Sequence, residues 1–186
     1  MWAMKVIGIQ SSPNTDGLTC RLAQAALDGA ESGGAEFELV HLNKLRIESC
    51  KAHDRGWGTC RTEGKCVMRD DFQDLREKIN EADALIFSTP VYFGDISESA
   101  KRFLDRWRRC EIFNRQASPL IGKPVIGIAA AGGSGGGAVN ALRNLETYLR
   151  QLQFTIFDLV TATQKSGRHK LDMLKVAGER MLGCER

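Results

Sequence analysis

The sequence has no apolar run that approaches the roughly 20 residues needed to cross a bilayer. Its opening stretch, MWAMKVIGIQ, has no small-residue cleavage site behind a long apolar core. The 26 basic residues, against 23 acidic ones, are spread along the chain apart from a local concentration at 101–109, which is not the footprint of a nucleic-acid-binding protein. We therefore expect a cytoplasmic protein whose partners include neither a membrane nor a nucleic acid.

Several well-known motifs are also missing. Neither G-x-G-x-x-G nor G-x-x-x-x-G-K-[ST] occurs, which argues against a dinucleotide fingerprint and an ATP-hydrolysing P-loop. The run ALIFSTP ends without the phosphoacceptor aspartate of a response-regulator receiver. Nothing indicates secretion, and a chain of 186 residues can bury its own core, so the six cysteines are better interpreted as free thiols or metal ligands than as disulfides.

Five runs rich in Val, Ile, Leu and Phe predict strands, because they show little polar alternation, as in a parallel sheet covered on both faces. They are MKVIGIQ, EFELVHL, ALIFSTP, PVIGIAAA and FTIFDLV. Helical patterns occur at 18–31, 71–81, 97–111, 139–152 and 171–182, and the arginines at 102, 106, 108 and 109 are expected on a solvated face. This alternation predicts a single α/β domain over 1–186, a three-layer sandwich with strand order 2-1-3-4-5.

One long segment interrupts the alternation. Residues at about 43–70 show no clear period, although a short connection would suffice there. We interpret this segment as an insertion at the rim of the domain.

Three unusual loops follow the first, third and fourth strands, and ligands of open parallel sheets bind beyond the carboxyl ends of the strands. The first loop, SSPNTDGLT, has hydroxyls at Ser11, Ser12, Thr15 and Thr19. Together with Gly17 and the start of a helix, these hydroxyls predict a phosphate cradle. Ordinary helix capping by Asp16 or Thr19 is the alternative.

The other two loops suit a flat ligand. STPVYFGDIS places Tyr92 and Phe93 on a loop after Pro90 and beside Gly94, although the two rings could instead plug the sheet edge. The five glycines within 132–137 indicate a loop whose backbone closely approaches a ligand or another part of the chain. A flexible connector is the alternative.

Four stretches of the chain occur in the order SSPNTDGLT, CRTEGKCVMRDDF, ADALIFSTPVYFGDIS with KRFLDR, and GGSGGG. In this order they resemble the NAD(P)H-dependent FMN reductase branch of the flavodoxin-like superfamily, and more narrowly its iron-sulfur flavoprotein relatives. The resemblance implies a flavodoxin-like fold, FMN as cofactor and NAD(P)H as co-substrate. It also implies a homodimer or homotetramer.

The resemblance further implies two groups of FMN-binding residues. Those at the phosphate are Ser11, Ser12, Asn14, Gly17, Leu18 and Thr19. Those around the isoalloxazine ring are Pro90, Val91, Tyr92, Phe93, Gly94, Gly132, Gly133 and Ser134. The chain departs from the family pattern at Ser11, Asn14 and Leu18, where the family usually has Gly, Arg and Asn. The missing arginine predicts looser phosphate binding, because it would make a charge-assisted hydrogen bond.

In the iron-sulfur relatives the insertion supplies four cysteines, the first two separated by two residues. Here Cys50, His53, Cys60 and Cys66 form C-x2-H-x6-C-x5-C, with His53 in the place of the second cysteine. Clusters are mostly held by four thiolates, and zinc pairs usually have closer spacing than Cys60 and Cys66. We therefore favour a metal-free lid with remnant or redox-active thiols over an iron-sulfur cluster or a zinc ion.

The activity implied by the resemblance is hydride transfer from NAD(P)H through a flavin to a small-molecule or protein acceptor. A quinone, another flavin, a nitro compound and a metal ion are the small acceptors to consider, and the flavin itself performs the hydride chemistry. One alternative is a flavodoxin-type electron carrier, although such carriers are typically acidic and this chain has a formal charge of +3. The other is a metal or redox sensor that uses the loop between Cys50 and Cys66.

Overall fold

A computed structural model describes residues 3–183. Its strands are β1 (Lys5–Gln10), β2 (Glu36–His41), β3 (Ala84–Pro90), β4 (Pro124–Ala131) and β5 (Thr155–Thr163). They form one parallel sheet in the order β2-β1-β3-β4-β5, which confirms the predicted flavodoxin-like arrangement. β3 is buried over its whole length, as expected for a central strand covered on both faces.

Two layers of helices cover the sheet. The helices are α1 (Leu18–Ser32), α2 (Thr59–Thr62), α3 (Phe72–Glu81), α4 (Glu98–Glu111), α5 (Ala138–Gln151) and α6 (Gly167–Met181). α1 and α6 bury their apolar residues on one face, and α3, α4 and α5 bury theirs on the other. No helix within residues 3–183 is long and apolar enough to cross a membrane.

Two boundaries differ by three or more residues from those expected from the sequence. β5 continues to Thr163, and α6 begins at Gly167 instead of Leu171. The cause is a side-chain turn, in which the N–H of Thr163 donates to Ser166 Oγ at 2.9 Å and the N–H of Ser166 donates to Thr163 Oγ1 at 3.2 Å. This turn leads the backbone directly from the strand into the helix.

The segment between β2 and α3 is the predicted insertion. It contains a 3-10 turn at Leu42–Lys44, a tight turn at His53–Gly56 and the short helix α2. Ala52, Asp54 and Arg55 have positive φ angles of 47°, 50° and 51°. Such conformations cost free energy for non-glycine residues, so contacts elsewhere must hold the segment in place.

Candidate functional site

The loops after β1 and β3 are tied together at the carboxyl edge of the sheet by Ser11. Its N–H donates to the carbonyl of Ser88 at 3.0 Å, and its hydroxyl donates to the same oxygen at 3.2 Å. Ser97, the N-cap residue of α4, donates its hydroxyl to Ser11 Oγ at 2.9 Å. Ser11 is fully buried and its donors are already used, so it fixes the position of the loop rather than presenting a free hydroxyl.

Two further polar residues hold the carbonyl of Ser11. Asn43 Nδ2 donates to it at 2.8 Å, and Ser99 Oγ donates to it at 2.9 Å. Sequence reasoning missed both residues. The serines of α4 are visible as helix-start signals, but their bonds to a residue 86 or 88 positions away are not.

Gln10, the last residue of β1, organises the loop that follows it. Its Nε2 lies 3.1 Å from the carbonyl oxygen of Asn14 and 3.1 Å from Nδ1 of His41, and its Oε1 accepts from the N–H of Ser12. Burial and the positive charge of Lys44 lower the pKa of His41 below its ordinary value. The neutral ring can therefore accept from the Gln10 amide at neutral pH.

The first turn of α1 presents unused hydrogen-bond donors. Gly17 is the N-cap residue and no side chain caps the helix, so the alternative of capping by Asp16 or Thr19 does not occur. Within residues 3–183, the backbone N–H groups from Thr15 to Cys20 have no acceptor, and the hydroxyls of Ser12 and Thr19 donate to none. Free N–H groups at a helix N-terminus favour an anion.

The loop after β3 displays its aromatic residues instead of burying them. Tyr92 and Asp95 form a tight turn through backbone hydrogen bonds of 2.9 and 3.0 Å. Phe93 lies on this turn with a φ of 52°, and its side chain is fully exposed. Tyr92 is about half exposed, at 47%. The two rings therefore do not plug the sheet edge.

The glycine-rich loop after β4 contacts the aromatic loop directly through its backbone. A Cβ atom on Gly137, which has a φ of 79°, would lie only 2.3 Å from Cα of Gly94. The N–H of Val91 also donates to the carbonyl of Ala130 at 2.9 Å. The three loops thus converge, through Ser11 and Ser97 on one side and through Gly94 and Gly137 on the other.

An open hollow lies between the aromatic and glycine-rich loops. It is bordered by Val91, Phe93, Gly94, residues 131–137 and Asn140. Gly132 and Gly133 are exposed, and a Cβ atom on either would meet nothing within 4 Å. Pro90, the buried last residue of β3, and Tyr92 are not among the residues that border it.

The structure therefore divides the predicted ring-binding and phosphate-binding residues into two neighbouring groups. Val91, Phe93, Gly94, Gly132, Gly133 and Ser134 border the hollow. Ser12, Asn14, Gly17, Leu18 and Thr19 form the loop and first helical turn with the unused donors. Ser11 and Pro90 are buried and belong to neither group.

The predicted metal ligands line a second, smaller cavity, in the insertion. Cys50, His53, Cys60 and Cys66 all border it, together with Arg109. Nevertheless, no three His, Cys, Asp or Glu side chains in the described part of the chain lie close enough together to hold a metal ion. Bordering one cavity does not bring these donors within ligand distance of a shared point.

A buried arginine of α4, Arg106, contacts Cys66, which borders this cavity. Arg106 and Asp70 form an ion pair at 2.6 Å, with both side chains 1% exposed. Burial alone would raise the pKa of Asp70, but hydrogen bonds from Arg106 and backbone N–H groups lower it. Arg106 also stacks over the ring of Phe72, with 4.2 Å between its Cζ and the ring centroid. The expectation of a solvated arginine face is therefore wrong for Arg106.

Comparison with known proteins links this arrangement to flavoenzymes. The family model described as NADPH-dependent FMN reductase matches residues 4–164. An iron-sulfur flavoprotein of Archaeoglobus fulgidus is 39% identical over 103 residues, which are 55% of this chain and 45% of that protein. Another, from Methanocaldococcus jannaschii, is 35% identical over 130 residues, which are 70% of this chain and 65% of that protein. The chain thus spans about half to two thirds of the length of these relatives.

The fold is shared with a solved NAD(P)H:quinone oxidoreductase from Methanothermobacter marburgensis. The TM-score is 0.74, with 18% sequence identity, and the match covers 100% of this chain and 98% of the other. At this identity the likeness concerns the fold alone.

Proposed function

Because the chain belongs to the NADPH-dependent FMN reductase family, we propose that it binds FMN and transfers hydride from NAD(P)H through the flavin to an electron acceptor. The observation that supports this most is the position of unused amide donors on α1 near an open hollow on the same sheet edge. A ligand with a phosphate at one end and a planar ring at the other suits this arrangement.

The phosphate end of FMN fits the loop after β1. The free N–H groups of Gly17, Leu18 and Thr19 and the hydroxyls of Ser12 and Thr19 would donate to phosphate oxygens. Asn14 lies on the exposed side of the same loop and could add its amide. Ser11, Ser97, Asn43 and Gln10 would keep this loop in place through the hydrogen bonds described above.

The ring end fits the hollow. Phe93 offers an exposed apolar ring, and Gly132 and Gly133 leave room for a planar ligand against the backbone. When bound, the flavin would supply the hydride and electron-transfer chemistry. The protein would bind and orient the flavin and keep one side of the hollow open to nicotinamide and acceptor. The acceptor belongs to one of five classes: a quinone, a flavin, a nitro compound, a metal ion or a protein.

Absorption spectroscopy tests this proposal directly. Protein supplied with FMN should show the two visible bands of oxidised flavin after gel filtration, and these should bleach when NADPH or NADH is added without oxygen. FMN should bind measurably more tightly than riboflavin, because only FMN reaches the donors of α1. Protein that binds neither compound in fluorescence and calorimetric titrations would refute the proposal. An electron carrier would bind FMN but would not be bleached by either nicotinamide.

The exposed apolar residues near the hollow support a homodimer or homotetramer. Phe93 and Val139, on either side of the Gly94–Gly137 contact, are 111% and 71% exposed. A second copy would cover these side chains beside the hollow. Light scattering coupled to gel filtration should give a multiple of the 20.6 kDa chain mass, and Val139→Asp should reduce it. A monomeric wild-type protein would refute this part of the proposal.

A further inference from the structure

The names of the relatives imply an iron-sulfur cluster, and the cysteines of the insertion are the candidate ligands for one. Clusters are mostly held by four thiolates at one point. The insertion offers only Cys50, Cys60 and Cys66, with His53 beside them, and no three of the candidate donors among the described residues approach a common point. Cys110, the nearby thiol of α4, is 1% exposed and does not border the cavity. The donor set does not fit a cluster.

Two of the three sulfur atoms instead accept hydrogen bonds from groups of the protein itself. Sγ of Cys66 accepts a hydrogen bond from Arg106 Nη2 at 3.3 Å, and Sγ of Cys50 accepts one from the N–H of Ala52 at 3.4 Å. Arg106 cannot easily turn away from Cys66, because its two terminal nitrogens also donate to Asp70 at 2.6 and 2.9 Å. A buried, paired guanidinium thus lies beside the thiol that a cluster would need.

Two other arginines hold the same segment at different points. Arg109 Nη2 donates to the carbonyl of Gly56 at 2.7 Å. Arg76 donates to the carbonyl of Gly64 at 2.7 Å and pairs with Glu111, which is largely buried, also at 2.7 Å. Arg106 adds a bond to the carbonyl of Glu48 at 3.0 Å. Bonds from charged donors are stronger than neutral ones, so these contacts can compensate for the strained backbone at Ala52, Asp54 and Arg55.

We propose that the insertion of this chain is an iron-free lid, held against α3 and α4 by Arg76, Arg106 and Arg109, although the names of its relatives imply a cluster. The cross-link between the insertion and α3 and α4 is made of arginine hydrogen bonds instead of metal–sulfur bonds. The three cysteines Cys50, Cys60 and Cys66 border the cavity as thiols that form no disulfide.

Metal analysis tests the first half of the proposal. Wild-type protein and a Cys50→Ser, Cys60→Ser, Cys66→Ser variant are treated without oxygen with ferrous iron and sulfide, or separately with zinc, and then desalted. We expect the same metal and acid-labile sulfide content in both proteins, with no charge-transfer absorption beyond that of flavin. Iron with sulfide, or zinc, that is retained by the wild type and lost by the variant would overturn the proposal. This result is independent of whether FMN binds, so it is distinct from a failure of the proposed function.

Thiol labelling tests the second half. In a Cys50→Ser, Cys60→Ser background, Arg106→Lys keeps the charge but loses the forked contacts, and Cys66 should react with a maleimide roughly tenfold faster or more. Arg102→Lys, on the same helix, is the matched control and should leave the rate unchanged. Asp70→Asn and Arg109→Lys provide independent routes if Arg106→Lys does not fold. Equal labelling rates in every soluble variant would contradict an arginine-held lid.

Discussion

At the scale of single residues, the proposed phosphate loop has no positive charge of its own. Residues 11–20 contain Asp16 and no lysine, arginine or histidine. Lys44, in the turn after β2, is a basic residue whose charge acts on this region. Burial and Asp16 raise the pKa of the Cys20 thiol in the first turn of α1, and Lys44 opposes them. Lys44 forms no ion pair within the described residues, so its charge is available to a phosphate.

Lys44→Gln should therefore weaken FMN binding about three- to tenfold, as expected for one partly screened charge, and leave riboflavin binding unchanged. Quenching of flavin fluorescence measures both affinities. Lys175→Gln makes the same charge change at an exposed position of α6 and is the control. It should change neither the FMN affinity nor the riboflavin affinity. An equal loss for FMN and riboflavin would contradict a role at the phosphate.

The lowered pKa of His41 leads us to expect that the stability of the protein depends on pH. Because burial and Lys44 lower the pKa of His41 in the folded protein, the unfolded chain binds a proton more readily. The contribution of the neutral ring is complete above the unfolded pKa of about 6.5 and is lost as the pH falls below it. The free energy of unfolding should drop between pH 7.5 and 5.5 in the wild type, and less in His41→Asn, which keeps an acceptor for Gln10. Parallel pH profiles in urea unfolding would show that His41 does not contribute.

At the scale of elements, the contact between the aromatic loop and the glycine-rich loop depends on the glycine at position 137. In Gly137→Ala the new methyl group would overlap the backbone of Gly94, and alanine would also have to adopt a φ of 79°. We expect a loss of about 2–4 kcal/mol of stability from the combined overlap and strain, together with weaker FMN binding. Urea unfolding and flavin titration measure the two effects.

Comparison of Gly137→Ala with Gly122→Ala separates the cost of the positive φ angle from the cost of overlap with neighbouring backbone. Gly122 has a similar φ of 75°, but a Cβ atom there would meet nothing within 4 Å. This variant should lose only about 1–2 kcal/mol and bind FMN normally. If the two variants lose the same stability, the Gly94–Gly137 contact is looser than the structure indicates.

Elements were predictable from the sequence where burial is continuous. The apolar runs of β1, β3 and β4 are typical of strands covered on both faces, and all three strands lie where expected. The start of α6 was not predictable, because it depends on hydrogen bonds between Thr163 and Ser166 in a stretch that is polar throughout. The burial of Arg106 was not predictable, because long basic side chains normally lie in solvent. The partner that allows its burial, Asp70, lies 36 positions away in the sequence.

At the scale of the whole molecule, α6 follows the residues that match the family model, because the match ends at residue 164. It approaches α1 closely because glycines face backbone across the contact. A Cβ atom on Gly29 would lie 1.9 Å from the carbonyl oxygen of Lys175, and one on Gly178 would lie 1.9 Å from that of Ala26. The two helices are therefore in backbone contact along the face opposite α3, α4 and α5.

Gly29→Ala should force α1 and α6 apart. Alanine favours a helix by up to about 1 kcal/mol over glycine, but overpacking typically costs about 1–3 kcal/mol, so we expect net destabilisation. Thermal unfolding should shift downward, while Gly136→Ala, in an exposed loop with only ordinary contacts, should not shift it. A stabilised Gly29→Ala protein would show that the helices can separate without penalty.

The convergence of three loops on one edge could be predicted from strand order alone, since β1, β3 and β4 are neighbours in a doubly wound sheet. The supporting bonds from Asn43, Ser97 and Ser99 could not, because each joins residues that are distant in sequence. Assignment of individual side chains to FMN remains a prediction that the titrations above will test.

Gly94 and Gly137 meet without side chains between them, so main chain alone sets the spacing of the two loops at this point. Substitutions at Phe93, Ser134 or Asn140 would alter the chemical character of the surrounding surface without changing that spacing. Related sequences could thus acquire preferences for different oxidants while retaining the same dimensions for the flavin.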